Sequence, residues 1–298
     1  MGWFRVFACS WWGSGGAVDS LDCVAIVGVG LIGGSVGLAL RQRGLAETVV
    51  GIGRRQSTLR AARRVGAVTR TTQDLAAGVA RADLVLVCVP IGSIVEQVRR
   101  VAEHARPGTL ITDAGSTKAE IVRALDRPLA RGCRFVGSHP LAGSEKAGPQ
   151  HARADLFQGR LVVLTPTRRS RPGDVERLER FWSALGAEVV RMTAAEHDRA
   201  VAWTSHLPHA AAVALAAVVP GRYLPLAGTG LEDTSRLAGG SPELWTQIFA
   251  ANRRHVAAAL RRFERQIQAL RAAVEQENSS RLKRILSRAK TKRDAVGS

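Results

Sequence analysis

Apolar and polar residues alternate in blocks along the first two thirds of the chain, and the blocks predict strands and helices in turn. Short apolar runs that are rich in β-branched residues are typical of parallel strands buried on both faces. The runs are CVAIVG (23–28), TVVGIG (48–53), ADLVLVCVP (82–90), GTLITDAG (108–115), CRFVGSHP (133–140), RLVVLTP (160–166) and AEVVRM (187–192). Thr117 and Glu120 have capping-box spacing and predict a helix start after the fourth run. This alternation predicts an α/β fold with a doubly wound sheet.

From about Thr193 the pattern contains no convincing strand. Long segments rich in Ala, Leu and Arg, at 194–220 and 242–290, predict helices. One helix start is well marked, with Ser241 as the N-cap and Pro242 at the first helical position. Long amphipathic helices need partners for their apolar faces, so this all-helical part predicts a homodimer.

The first predicted strand ends in a glycine-rich turn. Gly28, Gly30 and Gly33 have the spacing G-x-G-x-x-G between a strand and a helix, which is the context that the dinucleotide fingerprint requires. The first glycine permits the tight turn, the second lets the backbone approach a pyrophosphate, and the third lets the helix lie close to the strand. Leu31 and Ile32 begin the helix, whose N-terminal N–H groups can bind phosphates. The sequence therefore predicts a Rossmann-type domain.

The second predicted strand indicates which dinucleotide is bound. NAD sites usually carry Asp or Glu at the end of this strand, where it binds the ribose 2′-hydroxyl. Here Gly53 is followed by Arg54 and Arg55. Two guanidinium groups can pair with a 2′-phosphate, so we expect NADP in preference to NAD. The alternative is that both arginines are surface residues of an Arg-rich protein.

The patterns divide the chain into four parts. Residues 1–20 are rich in Trp and Phe but carry too short an apolar run for a signal peptide, and we interpret them as a disordered leader. Residues 21–192 form the predicted dinucleotide-binding domain and 193–290 the helical substrate and dimerisation domain. Residues 291–298 form a basic tail.

Composition narrows the choice of function. The chain has no run of 18 apolar residues, and its four cysteines form no CxxC pair. We therefore expect no membrane span, no disulfide framework and a cytoplasmic location.

The net charge of +18 suggests a nucleic-acid partner. However, 38 of the 43 basic residues are Arg and are spread along the whole chain, and the basic last 18 residues hold no aromatic residue. We therefore interpret the tail as a solvated helix face and expect no nucleic-acid partner.

Three predicted strands end at residues suited to binding. Ligands of doubly wound sheets bind at the carboxyl ends of the strands. Val89 and Pro90 end one strand, Ser116 follows the next, and His139 lies at the end of a third. We expect these residues to share one crevice with the cofactor. A neutral imidazole has a pKa near working pH, so His139 is a candidate general base.

Five motifs, in this order along the chain, resemble those of the prephenate/arogenate dehydrogenases of tyrosine biosynthesis. They are VGVGLIGGS (27–35), DAGSTK (113–118), GSHPLAGSEKAG (137–148), SHLPH (205–209) and DTSRLAGGSPELW (233–245). The resemblance implies an oxidoreductase that acts on a CH–CH group. It converts prephenate to 4-hydroxyphenylpyruvate and carbon dioxide with NAD(P), or arogenate to tyrosine.

The resemblance also implies roles for individual residues. His139 is then the proton acceptor and Ser116 a second catalytic residue that also contacts the cofactor. The implied substrate-binding residues are Arg236, His206, His209, Ser144, Glu145, Trp245 and His197, and the cofactor-binding residues are Gly28, Gly30, Leu31, Ile32, Gly33, Arg54, Arg55, Val89, Pro90 and Ser116. Arg236 would hold a substrate carboxylate.

His206 and His209 are three residues apart and share one face of a predicted helix. No Asp, Glu or Cys completes a ligand set at a familiar spacing, so we expect substrate contacts rather than a metal.

Two other functions remain as alternatives. One is a β-hydroxyacid dehydrogenase, but such enzymes typically use a catalytic lysine in the helical domain, and here the lysines of that domain begin only at Lys283. The other is a basic nucleic-acid-binding or redox-sensing protein that retains the cofactor fold. Within the resembling family, the choice between prephenate and arogenate stays open.

Overall fold

The structure is a computed structural model that describes residues 20–144 and 146–296. The predicted leader, except for its last residue, and the predicted substrate residue Glu145 lie outside the described residues. The chain forms two compact units. The first contains the residues up to Ala200 together with Gly239–Ala251, and the second contains Val201–Ala238 together with the residues from Asn252 on.

The first unit is built on a six-stranded parallel sheet. Its strands are β1 Leu21–Val27, β2 Ala46–Ile52, β3 Arg70–Thr72, β4 Leu84–Val87, β5 Leu110–Asp113 and β6 Arg134–Phe135, in the order β3-β2-β1-β4-β5-β6. The helices between them are α1 Leu31–Gln42, α2 Gln56–Arg64, α3 Leu75–Val79, α4 Ile91–His104 and α5 Ala119–Leu125. The predicted doubly wound sheet is confirmed. The strand order reverses between β1 and β4, where such sheets bind nucleotides.

Strand β1 shows why the apolar runs carry no alternation. Val24 and Ile26 belong to one buried cluster, which also contains Trp182. Ala25 and Val27 belong to a second cluster. Successive side chains of a strand point to opposite faces of the sheet, so a sheet covered by helices on both faces requires apolar residues at every position of its central strands.

The predicted single strand at 133–140 is wrong. The chain leaves the parallel sheet after β6, and Gly137–Pro140 form β7 in a separate sheet of order β7-β8-β9, with β8 Leu161–Thr165 and β9 Glu188–Arg191. Gly137 allows the change of partner, because a Cβ there would lie 2.6 Å from Oγ1 of Thr165. Both pieces are extended and only Val136 separates them, so the local pattern does not record that the pairing partner changes.

The predicted capping box at Thr117 and Glu120 is also wrong. Helix α5 begins at Ala119, and Lys118 occupies the N-cap position without a side-chain cap. The carboxylate of Asp198 caps this helix instead, accepting the N–H of Lys118 at 2.7 Å and that of Ala119 at 2.9 Å. An acceptor from a distant element therefore replaces the local one.

The chain after β8 is mainly helical. Its helices are α6 Pro172–Ala184, α7 Ala194–Val201, α8 Leu207–Val218, α9 Thr229–Ser235, α10 Pro242–Ala251, α11 Arg253–Glu275 and α12 Ser279–Asp294. A π-helical turn, Ala202–His206, joins α7 to α8. The predicted start at Pro242 is confirmed, since Oγ of Ser241 accepts the N–H of Leu244 at 3.3 Å. The basic tail begins inside α12.

One continuous helical segment among the described residues, Ala194–Val218, is long and apolar enough to cross a membrane by length and composition, and 28% of its most apolar 18-residue stretch is buried. A single segment of this kind is a weak indication of a membrane, because the core helix of a soluble protein can have the same length and composition.

Candidate active site

The turn after β1 has the geometry of a dinucleotide-binding loop. Gly28 has φ +96°, and a Cβ on it would lie 2.3 Å from the carbonyl oxygen of Cys88. A Cβ on Gly33 would lie 2.2 Å from the carbonyl oxygen of Gly28, so α1 could not lie this close to β1 with a larger residue. A Cβ on Gly30 would meet nothing within 4 Å. The backbone at Gly30 therefore faces open space that fits a pyrophosphate.

The residues around this loop also fit a dinucleotide. Gly30 is the N-cap of α1 and offers no capping side chain, which leaves the first-turn N–H groups at Leu31 and Ile32 for phosphates. The N–H of Cys88 donates to the carbonyl of Val27 at 2.7 Å. Val89 and Pro90, which follow Cys88, are thereby held next to the glycine turn at the carboxyl edge of the sheet.

Arg54 and Arg55 follow β2 at the same edge of the sheet and are exposed. Gln73 donates to the carbonyl of Arg54 at 2.6 Å, and Arg55 is the N-cap of α2. Neither guanidinium forms a salt bridge with any residue that the structure describes. Both charges are therefore available to an anionic group at this edge.

His139 lies in β7, and its neighbour Ser138 holds that strand against the end of β5. The Ser138 N–H donates to the carboxylate of Asp113 at 3.2 Å, and its hydroxyl donates to the carbonyl of Asp113 at 2.5 Å. Lys118 Nζ donates to the carbonyl of Ser138 at 2.9 Å. His139 is thus fixed beside the turn that carries Ser116, although it belongs to the second sheet.

A chain of hydrogen bonds runs from His139 into the protein. Its Nδ1 lies 2.8 Å from Nε2 of His197, and Nδ1 of His197 lies 2.7 Å from the carboxylate of Asp198. The His197 side chain is fully buried and that of Asp198 nearly so. Burial opposes the charged carboxylate, but hydrogen bonds from His197 and from the Lys118 and Ala119 backbone outweigh it and lower the pKa of Asp198.

Both ring nitrogens of His197 are bonded within the protein, one to His139 and the other to Asp198. These bonds leave neither nitrogen for a hydrogen bond to substrate, so the expected substrate-binding role of His197 stays a prediction that this geometry does not support.

A buried ion pair that the sequence analysis did not single out lies behind His139. Lys118 Nζ bonds the carboxylate of Asp113, and both side chains are fully buried. Burial lowers the pKa of Lys118, against the opposite effect of Asp113. Both residues belong to the DAGSTK motif, which was a signal of their importance, whereas nothing in the sequence marked Asp198.

Three other predicted residues lie in the first unit. Ser116 is half-buried in the turn between β5 and α5, and Ser144 is exposed, where its hydroxyl accepts the N–H of Lys146 at 3.2 Å. Trp245 lies on α10 in edge-to-face contact with Phe249. Gln247 on the same helix accepts the N–H of Gly92 at 3.4 Å, so α10 lies beside the start of α4.

The remaining predicted substrate residues lie in the second unit. His206 is buried in the π-helical turn, with Nδ1 3.2 Å from the side-chain amide of Asn252. His209 on α8 is buried, and burial lowers its pKa, which favours the neutral imidazole. Arg236 follows α9 and is exposed. Within the described residues, no group of three or more His, Cys, Asp or Glu side chains is arranged to hold a metal ion.

Two family models match most of the chain. Residues 36–191 match the model described as "Prephenate dehydrogenase, nucleotide-binding domain". Residues 193–288 match "Prephenate dehydrogenase, dimerization domain". The first match covers more than half of the chain.

Individual relatives agree with this assignment. The chain is 32% identical to a prephenate dehydrogenase of Bacillus subtilis over 92% of its own length and 76% of that protein. It is 30% identical to a cyclohexadienyl dehydrogenase of Zymomonas mobilis over 87% of its length and 90% of that protein. A solved prephenate dehydrogenase from A. aeolicus, in complex with hydroxyphenyl propionate and NAD+, superposes with a TM-score of 0.85 at 30% identity, covering 93% of this chain and 99% of that one. Synechocystis arogenate dehydrogenase gives 0.75 at 31% identity, covering 92% and 99%.

Proposed function

Because this chain belongs to the prephenate/arogenate dehydrogenase family of NAD(P)-dependent oxidoreductases, we propose that it oxidises and decarboxylates prephenate to 4-hydroxyphenylpyruvate. The observation that carries the proposal is the position of His139. It lies in β7 beside the turn after β5, and that turn is at the edge of the parallel sheet that also bears the glycine-rich loop. A proton acceptor next to a dinucleotide site is what a hydroxyl-directed dehydrogenation needs.

The chain's own residues divide the chemistry between them. His139 accepts the proton of the ring hydroxyl as that carbon is oxidised, and it returns the proton as loss of carbon dioxide makes the ring aromatic. Bound NAD(P)+ supplies the acceptor for the hydride. Ser116, in the neighbouring turn, orients the hydroxyl or the imidazole.

Binding of the two carboxylates falls to the remaining predicted residues. Arg236 is exposed and its guanidinium geometry suits a carboxylate. His209, as a neutral imidazole, donates one hydrogen bond toward the pyruvyl group. The proposal also assigns substrate-binding roles to His206, Ser144, Glu145 and Trp245.

NADP is the proposed cofactor. Gly53 removes the acidic side chain that would bind a 2′-hydroxyl, and Arg54 and Arg55 are exposed at that position without a carboxylate partner among the described residues. A bidentate contact with the 2′-phosphate follows from the guanidinium geometry.

Arogenate is the second candidate substrate, because the Synechocystis arogenate dehydrogenase has about the same sequence identity to this chain, 31%, as the A. aeolicus prephenate dehydrogenase has, 30%. A spectrophotometric assay that crosses both substrates with NAD+ and NADP+ separates the candidates. We expect the highest kcat/KM for prephenate with NADP+. Turnover of arogenate alone would replace the proposed substrate, and turnover of neither would refute the proposed function.

A homodimer formed by the helical unit is part of the proposal. Apolar side chains remain exposed on α8 and in the segment after it, including Val218, Leu224 and Leu226. The matching family model describes the region as a dimerization domain.

A cytoplasmic location is also part of the proposal. The three described cysteines are free thiols, which is typical of proteins in a reducing cytoplasm.

A further inference from the structure

We propose that His197 and Asp198 are positioning residues that fix the tautomer of His139 and stabilise the positive charge that it acquires during the reaction. The inference rests on the proposed function for its kinetic part only. The arrangement itself is a buried line of three side chains, Asp198–His197–His139, joined by contacts of 2.7 and 2.8 Å.

The Asp198 carboxylate at the buried end of the line decides which ring nitrogen carries each proton. A carboxylate only accepts, so Nδ1 of His197 must carry the proton in the bond to Asp198. In a neutral imidazole the other nitrogen is then an acceptor, and Nε2 of His197 accepts from Nδ1 of His139. His139 is thereby held with its proton on Nδ1, which makes Nε2 the basic nitrogen.

Asp198 is itself held in its ionised form and in one orientation. Its carboxylate also accepts the backbone N–H groups of Lys118 and Ala119 at the start of α5. These bonds favour the charged form of a carboxylate. The same Lys118 holds β7 through the carbonyl of Ser138. One residue thus ties both ends of the hydrogen-bonded line to the same turn.

The line also has a consequence during the reaction. When Nε2 of His139 takes the hydroxyl proton, the imidazolium donates through Nδ1 to His197, whose other nitrogen faces the Asp198 carboxylate. The buried negative charge of Asp198 therefore stabilises the positive charge on His139 through His197. The proton returns to the substrate oxygen on aromatisation, so the line ends each turnover in its starting state and needs no external donor. A similar use of a carboxylate to orient a basic imidazole is known from serine proteases.

Several charged or titratable groups of the described residues are packed around this line. They are Asp198 and His197 on α7, Asp113 at the end of β5, Lys118 before α5 and Cys88 after β4. Asp113 and Lys118 neutralise each other, and burial keeps Cys88 protonated by raising its pKa. Of these groups, Asp198 is the carboxylate in direct contact with His197.

The first test is spectroscopic and does not require turnover. In ¹⁵N-histidine NMR of the wild-type full chain, we expect His139 protonated at Nδ1 and not at Nε2 at neutral pH. Assignment comes from the loss of one set of signals in His139→Asn. The opposite tautomer in the wild type would overturn the proposal, whatever the substrate of the enzyme proves to be.

The second test is kinetic. Asp198→Asn should lower kcat by about 10- to 1,000-fold. This range lies between the decrease that is typical when an orienting partner is removed and the decrease that is typical when the general base itself is removed. The acidic limb of its kcat–pH profile should move to lower pH, because the imidazolium loses its counter-charge. His197→Gln, whose amide oxygen can still accept from Nδ1 of His139, should retain more activity than His197→Leu. The control is His104→Gln at an exposed position of α4, with wild-type kinetics expected.

Folding and function are separated by two further measurements. Thermal unfolding and NADP+ binding of each variant report whether the fold is kept. A folded Asp198→Asn variant with wild-type kcat and pH profile would overturn the proposal. If the wild type turns over neither prephenate nor arogenate, the proposed function fails, and the NMR result alone decides the tautomer.

Discussion

The backbone of Gly28 approaches Cys88 so closely that a Cβ at position 28 would lie 2.3 Å from the carbonyl oxygen of Cys88. This contact joins the ends of β1 and β4 at the point where the strand order reverses. Space and a φ of +96° both demand glycine there. Gly30, two residues on, is glycine for a different reason, since a Cβ there would meet no protein atom within 4 Å.

This difference predicts opposite effects of two alanine substitutions. Gly28→Ala should destabilise the fold by at least about 2 kcal/mol, from the left-handed backbone and the clash. Gly30→Ala should leave the melting temperature near wild type but weaken NADP+ binding at least about tenfold, because the methyl group takes the space of the pyrophosphate.

Thermal unfolding and fluorescence titration with NADP+ measure the two effects. Gly44→Ala is a control for backbone strain alone, since Gly44 has φ +64° and open space around its Cα. Equal destabilisation by Gly44→Ala and Gly28→Ala would show that the clash with Cys88 contributes nothing.

His139→Asn should lower kcat by about 10²- to 10⁴-fold, the usual range for removal of a general base. Binding of NADP+ should be unchanged, because the dinucleotide loop belongs to a different strand. Steady-state kinetics and a binding titration on the same preparation check both statements. Unchanged turnover would remove His139 from the catalytic role.

Arg236→Gln should mainly raise KM for the substrate, because it removes a charge-assisted bond to a carboxylate that is present in ground and transition states alike. Arg236→Lys is a conservative comparison, because it keeps the charge but loses the bidentate geometry. Its KM should lie between that of the wild type and that of Arg236→Gln. A KM equal to the wild-type value in Arg236→Gln would place the carboxylate elsewhere.

Replacing both Arg54 and Arg55 by Ala should weaken NADP+ binding by roughly 10- to 100-fold, which corresponds to about 1.5–3 kcal/mol for hydrogen bonds to a charged group. Binding of NAD+ should change little, since it lacks the 2′-phosphate. The ratio of the two dissociation constants is the measured quantity. Arg60→Ala, at an exposed position of α2, is the matched control, and an equal loss for both cofactors would contradict 2′-phosphate recognition.

Lys118→Met should destabilise the protein by about 3–5 kcal/mol, because it leaves the buried carboxylate of Asp113 without its cation. The double variant Asp113→Asn, Lys118→Met should recover part of this loss, since no uncompensated charge remains. Chemical denaturation of wild type, both single variants and the double variant gives the coupling free energy. Additive effects would mean that the pair contributes no mutual stabilisation.

The sequence by itself determined the elements whose cause is local. Apolar runs at 48–53 and 82–90 predicted strands of the parallel sheet, and Ser241 with Pro242 predicted the start of α10. The glycine spacing predicted the dinucleotide loop, since Gly33 must lie close to Gly28 and Gly28 must lie close to Cys88 at the end of the neighbouring strand, while Gly30 leaves its space open. Periodicity and turn chemistry act over a few residues, and so they can be seen in a short window of sequence.

The tertiary structure decided which distant groups meet. The contact between His139 and His197 joins residues 58 positions apart, and Asp198 caps α5 from 80 positions away. The change of sheet after β6 likewise depends on β8, which arrives later in the chain. Distant hydrogen-bond partners compete with local ones, and at the start of α5 the distant Asp198 replaces the local cap that Thr117 would provide. Which partner is used depends on which groups are close together in the folded protein. The candidate base was therefore visible in the sequence, whereas its contact with His197 and the part that Asp198 plays in that line were not.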